Sequence, residues 1–291
     1  MENMIELRHV NKSFKDFQIK DLTLNVKKGF VTGFIGANGS GKSTTIKLML
    51  NLLKPDSGDI KVFGMDYKAH EKEIKERIGF VFDDDVLYED VTVNDLRRII
   101  APCYRQWDEK EFRYYTDLFA IPLQKKIKTF SKGMKMKVSL AIAFSHHAEL
   151  LIFDEPTAGM DPIFRREFLD ILHDFMLDEN KTIFFSTHIT SDLARIADYI
   201  SFIHDGQLIF SKELHAVEEE YAIVRGPLDL LDVETEKYFV SVKRTGAGFE
   251  ALTSNRQSIE KVFSDEALIE EATLEDVMYY VKRRASGVSL N

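Results

Sequence analysis

The stretch that most constrains this chain is Gly36 to Thr44, which reads Gly-Ala-Asn-Gly-Ser-Gly-Lys-Ser-Thr. Its G-x-x-x-x-G-K-S/T spacing is that of a phosphate-binding loop, in which successive backbone N–H groups point inward at the phosphates of a nucleotide. Gly36, Gly39 and Gly41 let the backbone bend tightly and approach the anion, with Asn38, Ser40 and Thr44 completing the cradle. Lys42 brings a mobile positive charge to the outer phosphates, and the Ser43 hydroxyl can ligate magnesium. The pattern arises by chance in roughly one in a hundred chains of this length. Context lowers the odds, because Phe30 to Ile35 is an apolar run of strand length and Ile46, Met49, Leu50 and Leu53 follow at helical spacing. A strand before the loop and a helix after it are expected, the helix ending in Lys54-Pro55-Asp56-Ser57-Gly58 and directing its positive end at the anion.

Length and charge narrow the setting. A chain of 291 residues can bury a full core, and one large domain with a small appendage fits better than three domains. A net charge of -9 argues against nucleic acid as the main partner. Cys103 is the only cysteine, so no internal disulfide forms and a reducing compartment is expected. Met1 to Val10 lacks the apolar core of a secretory signal, and no window approaches eighteen uninterrupted apolar residues. Attachment to a membrane would then depend on another protein.

Ahead of the loop, Ile5, Leu7 and then Leu22, Leu24 and Val26 alternate with polar residues and predict antiparallel strands. After it come a strand at Ile60 to Phe63, a charged helix around His70 to Arg77 and a strand at Ile78 to Phe82. From about residue 84 to 147 the pattern is helical, with Thr92 and Asp95, and Asp108 and Glu111, as helix-start pairs. Phe112, Tyr115 and Phe119 mark one buried face, and Met136, Leu140 and Phe144 another. Asp161 and Pro162 open a further helix, Thr182 to Ser186 is a strand, and Tyr199 to Phe210 predicts a hairpin turning at Asp205-Gly206. Composition shifts near Lys212. Residues 212–291 read as a small α+β appendage, with strands at Tyr238 to Lys243 and Glu250 to Leu252 and a terminal helix capped by Thr273. Ser286 to Asn291 are expected to fray.

A second element points to the same chemistry. Leu150-Leu151-Ile152-Phe153 is a solidly apolar strand, of the kind buried on both faces of a parallel sheet, and it ends in Asp154 and Glu155. Beside a phosphate loop, one such carboxylate serves the metal ion, and a second just beyond it is placed to polarise water. Alternation along the strand sends the two side chains different ways.

Taken with these motifs, the chain resembles the ATP-binding subunit of an ABC transporter from about Met4 to Phe210, where six motifs stand in that family's order. The resemblance implies an α/β fold: a P-loop NTPase, RecA-like core with an antiparallel β subdomain and a helical subdomain, spanning 1–211, followed by the appendage at 212–291. It implies ATP and Mg2+ as cofactors, with Phe14 stacking on adenine, Asp154 associated with magnesium, Glu155 as general base and His188 contacting the γ-phosphate. Phe130-Ser131-Lys132-Gly133-Met134-Lys135 stands at the family's signature position, which implies that Ser131 and Gly133 bind a nucleotide held by a second subunit. Lys132 and Met134 depart from the usual glycine and glutamine. Asp161 matches the loop that contacts the opposing site, with capping of its own helix as a competing role. Where the family places glutamine, this chain has Asp83, a metal-binding or nucleotide-sensing residue or part of a solvated acidic loop with Asp84 and Asp85. The expected function is ATP-driven export through a separate integral membrane subunit, by a homodimer or heterodimer of cassettes on the cytoplasmic face. The substrate would be a drug, antibiotic or amphipathic peptide. The competing readings are a soluble ABC-type ATPase without a transport role and a slow nucleotide-dependent regulator.

Overall fold

A computed structural model describes residues 2–81, 88–263 and 266–285. The expectations for Phe82 to Asp85 and for Ser286 to Asn291 lie outside the described residues. The chain divides into two compact units, residues 1–211 and 212–291.

The first unit opens with β1 (Asn3–Ser13) and β2 (Gln18–Lys27), paired antiparallel with Ile5 opposite Val26 and Leu7 opposite Leu24. β3 (Val31–Ile35) runs into the phosphate loop and α1 (Lys42–Met49). β4 (Ser57–Val62) and the two-residue β5 (Met65–Asp66) return to the first sheet, giving the antiparallel order β2-β1-β4-β5. The next elements are α2 (Tyr67–Glu76), β6 (Ile78–Val81), α3 (Val93–Ile100), α4 (Glu109–Leu118) and α5 (Lys132–Ser145). They are followed by β7 (Leu150–Asp154), α6 (Pro162–Phe175), β8 (Thr182–Thr187), α7 (Thr190–Ile196), β9 (Tyr199–His204) and β10 (Gln207–Glu213). The second sheet has the order β10-β9-β3-β8-β7-β6, parallel from β9 through to β6.

This is the expected α/β architecture, and its physical basis is visible in the burial. The middle strands carry Phe34, Phe153, Phe184 and Phe185, all with no exposed surface. Truncating any of them to alanine would cost about 3–5 kcal/mol. One apolar cluster runs from β1 and β2 through Ile46, Leu48 and Met49 of α1 to Phe34, Ile152 and Phe184, so α1 is held between the two sheets. The helix starts follow the expected chemistry. Thr92 Oγ1 accepts from Asp95 N–H at 3.1 Å, and Asp108 Oδ1 accepts from Lys110 N–H at 2.7 Å.

One boundary differs from expectation. α1 ends at Met49, well before Lys54-Pro55, because Asn51 takes a left-handed conformation (φ 55°) and Leu52 N–H turns back to the Lys47 carbonyl at 2.9 Å. Asparagine is the usual substitute for glycine at such a helix end. Leu53 still packs on the core, but from the loop.

The second unit consists of α8 (Leu214–Glu220), β11 (Ala222–Gly226), β12 (Phe239–Thr245), β13 (Gly248–Thr253), α9 (Arg256–Phe263), β14 (Leu268–Glu271) and α10 (Leu274–Ala285). Its antiparallel sheet has the order β12-β13-β11-β14. The strands expected at Tyr238 to Lys243 and Glu250 to Leu252 are β12 and β13, whereas β11, β14, α8 and α9 had no counterpart in the sequence reading. Val224, Phe249, Ala251, Ile259 and Phe263 form its core. Thr273 caps α10 reciprocally, its Oγ1 accepting from Asp276 N–H at 3.1 Å while Asp276 Oδ2 accepts from Thr273 N–H at 3.0 Å.

Candidate active site

Three loops leave the carboxyl ends of neighbouring strands of the second sheet: the phosphate loop after β3, Glu155 after β7 and His188 after β8. Ligands of open α/β sheets bind at this edge. The loop is fixed by its packing. A Cβ on Gly36 would lie 2.5 Å from both the Ile203 carbonyl and Ser40 Oγ, so only glycine fits there. Gly41 has φ 112° and stands at the N-cap of α1 without any side-chain cap, leaving the first N–H groups of the helix for an outside acceptor. The turn Asp205-Gly206, left-handed at both residues (φ 44° and 73°), closes the β9–β10 hairpin. Gly206 N–H holds the Ser40 carbonyl at 2.9 Å, so this hairpin braces the phosphate loop, a role the sequence alone did not disclose.

Lys42 is nearly enclosed. Its Nζ donates to the Gly36 carbonyl at 2.7 Å and the Ala37 carbonyl at 3.2 Å, and it lies 3.0 Å from Glu155 Oε1 in an ion pair. Glu155 Oε2 accepts from His188 Nδ1 at 2.7 Å and from His188 N–H at 3.2 Å. The three catalytic candidates, Lys42, Glu155 and His188, are thus brought together through one carboxylate. Glu155 has φ 50°, in the left-handed region that few non-glycine residues adopt, and its N–H is anchored on the Ser186 carbonyl at 3.0 Å. Asp154 turns the other way, buried, with Oδ1 accepting from Ser186 Oγ at 2.8 Å. The two adjacent carboxylates therefore serve different partners, the left-handed turn at Glu155 rather than strand alternation separating them.

The remaining candidates fall into two groups. Phe14 is 45% exposed and stacks on Phe17 at 6.3 Å, and a Cβ on Gly41 would lie 2.9 Å from the Phe17 ring. A flat aromatic face therefore stands beside the phosphate loop. Ser43 is exposed and Thr44 half-buried at the start of α1. Ser131, Gly133 and Asp161 belong elsewhere: Ser131 caps α5, with Oγ accepting from Met134 N–H at 3.3 Å, and Asp161 Oδ1 caps α6 through Ile163 and Phe164 N–H at 3.1 and 3.0 Å. Among the described residues no hydrogen bond joins these three to the phosphate loop of their own chain. Asp83 lies outside the described residues.

A family model described as ABC transporter matches residues 19–158. The bacitracin transport ATP-binding protein BcrA of Bacillus licheniformis is 35% identical over 212 residues, covering 72% of this chain and 69% of that protein. The chain belongs to the ABC transporter family. The lantibiotic transport ATP-binding protein SrtF of Streptococcus pyogenes is 31% identical over 217 residues, covering 74% of this chain and 93% of that one. A solved structure of the ATP-binding subunit of an ABC transporter superposes with a TM-score of 0.68 at 28% identity, over 74% of this chain and 92% of that one. This ABC transporter chain is accordingly an ATP-binding subunit and an ATPase. Among the described residues, Ser40 Oγ is buried with no hydrogen-bond partner, and α1 has no side-chain cap at Gly41, so the loop carries polar groups that an anion could satisfy. Among the described residues, no helix of this ABC transporter subunit is long and apolar enough to cross a membrane.

Proposed function

We propose that this subunit binds MgATP through Gly36 to Thr44 and hydrolyses it with Glu155 as general base, the cycle driving export through a separate integral membrane subunit. The observation that carries this reading is Glu155 held between Lys42 and His188, with one oxygen on each. Phosphates entering the loop offer Lys42 a stronger anion than a carboxylate. Lys42 then leaves Glu155, whose Oε1 has no hydrogen-bond partner among the described residues and becomes available to orient and deprotonate an attacking water. Asp154 and Ser43 are the residues that would hold magnesium, a metal that keeps several waters and takes few protein ligands. Magnesium would neutralise charge on the β- and γ-phosphates, and Lys42 and the loop N–H groups supply the remaining stabilisation. Phe14 would offer its exposed face to adenine, and His188, hydrogen-bonded to Glu155, would contact the γ-phosphate.

Ser131 and Gly133 complete the site of a second cassette, and Asp161 meets the opposing site, so the working form is a dimer. This accounts for their separation from the phosphate loop of their own chain. The names of the bacitracin and lantibiotic transport relatives support a peptide of that kind as substrate, and the membrane subunit would hold this chain on the cytoplasmic face. Residues 1–211 carry the ATPase, and residues 212–291 form an accessory domain. The test is ATP hydrolysis with and without magnesium, by wild type and Lys42→Ala. Hydrolysis that requires magnesium and is lost in Lys42→Ala supports the reading, and magnesium-independent or retained hydrolysis overturns it.

A further inference from the structure

Four side chains from three elements meet behind Glu155, and none belongs to the site described so far. Thr157 Oγ1 donates to Asp192 Oδ2 at 2.7 Å, Arg165 Nε donates to Asp192 Oδ1 at 2.5 Å, and Arg165 Nη2 donates to Ser191 Oγ at 3.0 Å. Thr157 and Asp192 are 1% and 2% exposed. Their places in the chain give the cluster its meaning. Thr157 lies two residues beyond Glu155, Arg165 stands on the helix that Asp161 caps, and Asp192 lies four residues beyond His188. One buried carboxylate therefore ties together the loop that carries the base, the helix behind Asp161 and the helix behind His188.

We propose that Asp192, with Thr157 and Arg165, is a positioning residue for hydrolysis that keeps Glu155 aimed once Lys42 has turned to the phosphates. A carboxylate placed only to favour the start of α7 would sit in solvent, and burial with two directed donors is more than that role needs. Glu155 holds a left-handed conformation that its surroundings must enforce. It is fastened at its own N–H by Ser186 and, two residues on, by Thr157. While Lys42 grips Oε1 the carboxylate is held at both oxygens, by Lys42 on one and His188 on the other. When Lys42 leaves, the bond from Glu155 N–H to Ser186, the clamp at Thr157 and the bonds from His188 are what remain. Loss of Asp192 is then felt in turnover, where a displacement of about 1 Å can cost on the order of a hundredfold, and hardly in nucleotide binding.

The inference rests on Glu155 being the base, so the experiment includes that variant. Turnover of MgATP, affinity for MgADP and thermal unfolding are measured for Asp192→Asn, Thr157→Val, Glu155→Gln and the combinations of each with Glu155→Gln. Both clamp variants are expected to lower kcat about tenfold or more with the MgADP Kd within about threefold of wild type. Neither should lower the residual single-turnover rate of Glu155→Gln, because the clamp acts only through that carboxylate. Thr157→Val preserves shape and charge, so it tests the idea even if Asp192→Asn does not fold. Normal kcat in Thr157→Val, or a further tenfold loss on top of Glu155→Gln, overturns the clamp. Full turnover by Glu155→Gln alone overturns the assignment of the base, and the clamp with it.

Discussion

On the proposed function, phosphate and Glu155 compete for the same ammonium group, and Glu155→Gln exposes that competition. The Lys42 and Glu155 side chains are only 5% and 11% exposed, and Nζ and Oε1 are 3.0 Å apart. At an effective dielectric constant near 20, that separation corresponds to about 5.5 kcal/mol of gross attraction. Desolvation of both groups takes back most of it. About 1.5–3 kcal/mol of the gross attraction remains. Nucleotide binding has to overcome this amount in wild type and not in the variant. Two effects of opposite sign follow. Nucleotide-free Glu155→Gln should melt roughly 3–12 °C below wild type by scanning calorimetry, and calorimetric titration should find MgADP bound about tenfold to a hundredfold more tightly. Relief of long-range repulsion between Glu155 and the phosphates would tighten binding without lowering the melting temperature of the free protein. Unchanged stability of the nucleotide-free variant would therefore refute the competition, whatever its affinity.

Two further substitutions probe the frame around the site. Gly206→Ala places a Cβ 1.9 Å from the Gln18 carbonyl at φ 73°, while the same residue's N–H braces Ser40. It should lose at least about 2 kcal/mol of stability and bind MgADP more weakly, and an unchanged urea midpoint would contradict this. His146 is buried against Tyr104, with its two ring nitrogens 2.9 and 3.2 Å from the Ile142 and Ile78 carbonyls, and burial pushes its pKa down to about 4. The unfolded chain takes up this proton near pH 6.5 and the folded one near pH 4, so the stability that neutral His146 supports is present above 6.5 and is lost as pH falls towards 4. The loss is on the order of 3 kcal/mol. His146→Leu should flatten the fall in melting temperature between pH 6.5 and 4, and an identical acid limb would contradict the assignment.

Local chemistry made the site's parts legible in the sequence. Glycines at fixed spacing, an apolar strand ending in two acids and the Asp161-Pro162 helix start each declare themselves within a few residues. Long-range partners do not. Glu155 and Lys42 were both legible as functional residues, yet the ion pair between them joins positions 113 residues apart and depends on β7 and β3 flanking β8. Thr157, Arg165 and Asp192 read individually as ordinary loop and helix residues, and only the fold brings them into one cluster. Gly206 reads as a hairpin glycine, and its second task becomes visible when the hairpin lies against Ser40. In residues 212–291 the central strand β11 is only five residues long and β14 four, too short for alternation to stand out from a loop. Asn51 ended α1 early because asparagine tolerates the left-handed turn that was expected only at the later glycine.

The central claim is that each hydrolytic site takes Glu155 from one cassette and Ser131 from another. It is tested most directly by mixing two inactive variants, Glu155→Gln and Ser131→Ala, and measuring MgATP hydrolysis. Random pairing makes half the dimers mixed, each with one intact site, so the mixture should recover about a quarter of the wild-type rate. Mixing that recovers nothing, while each variant still dimerises with MgATP, would contradict a site shared between two chains.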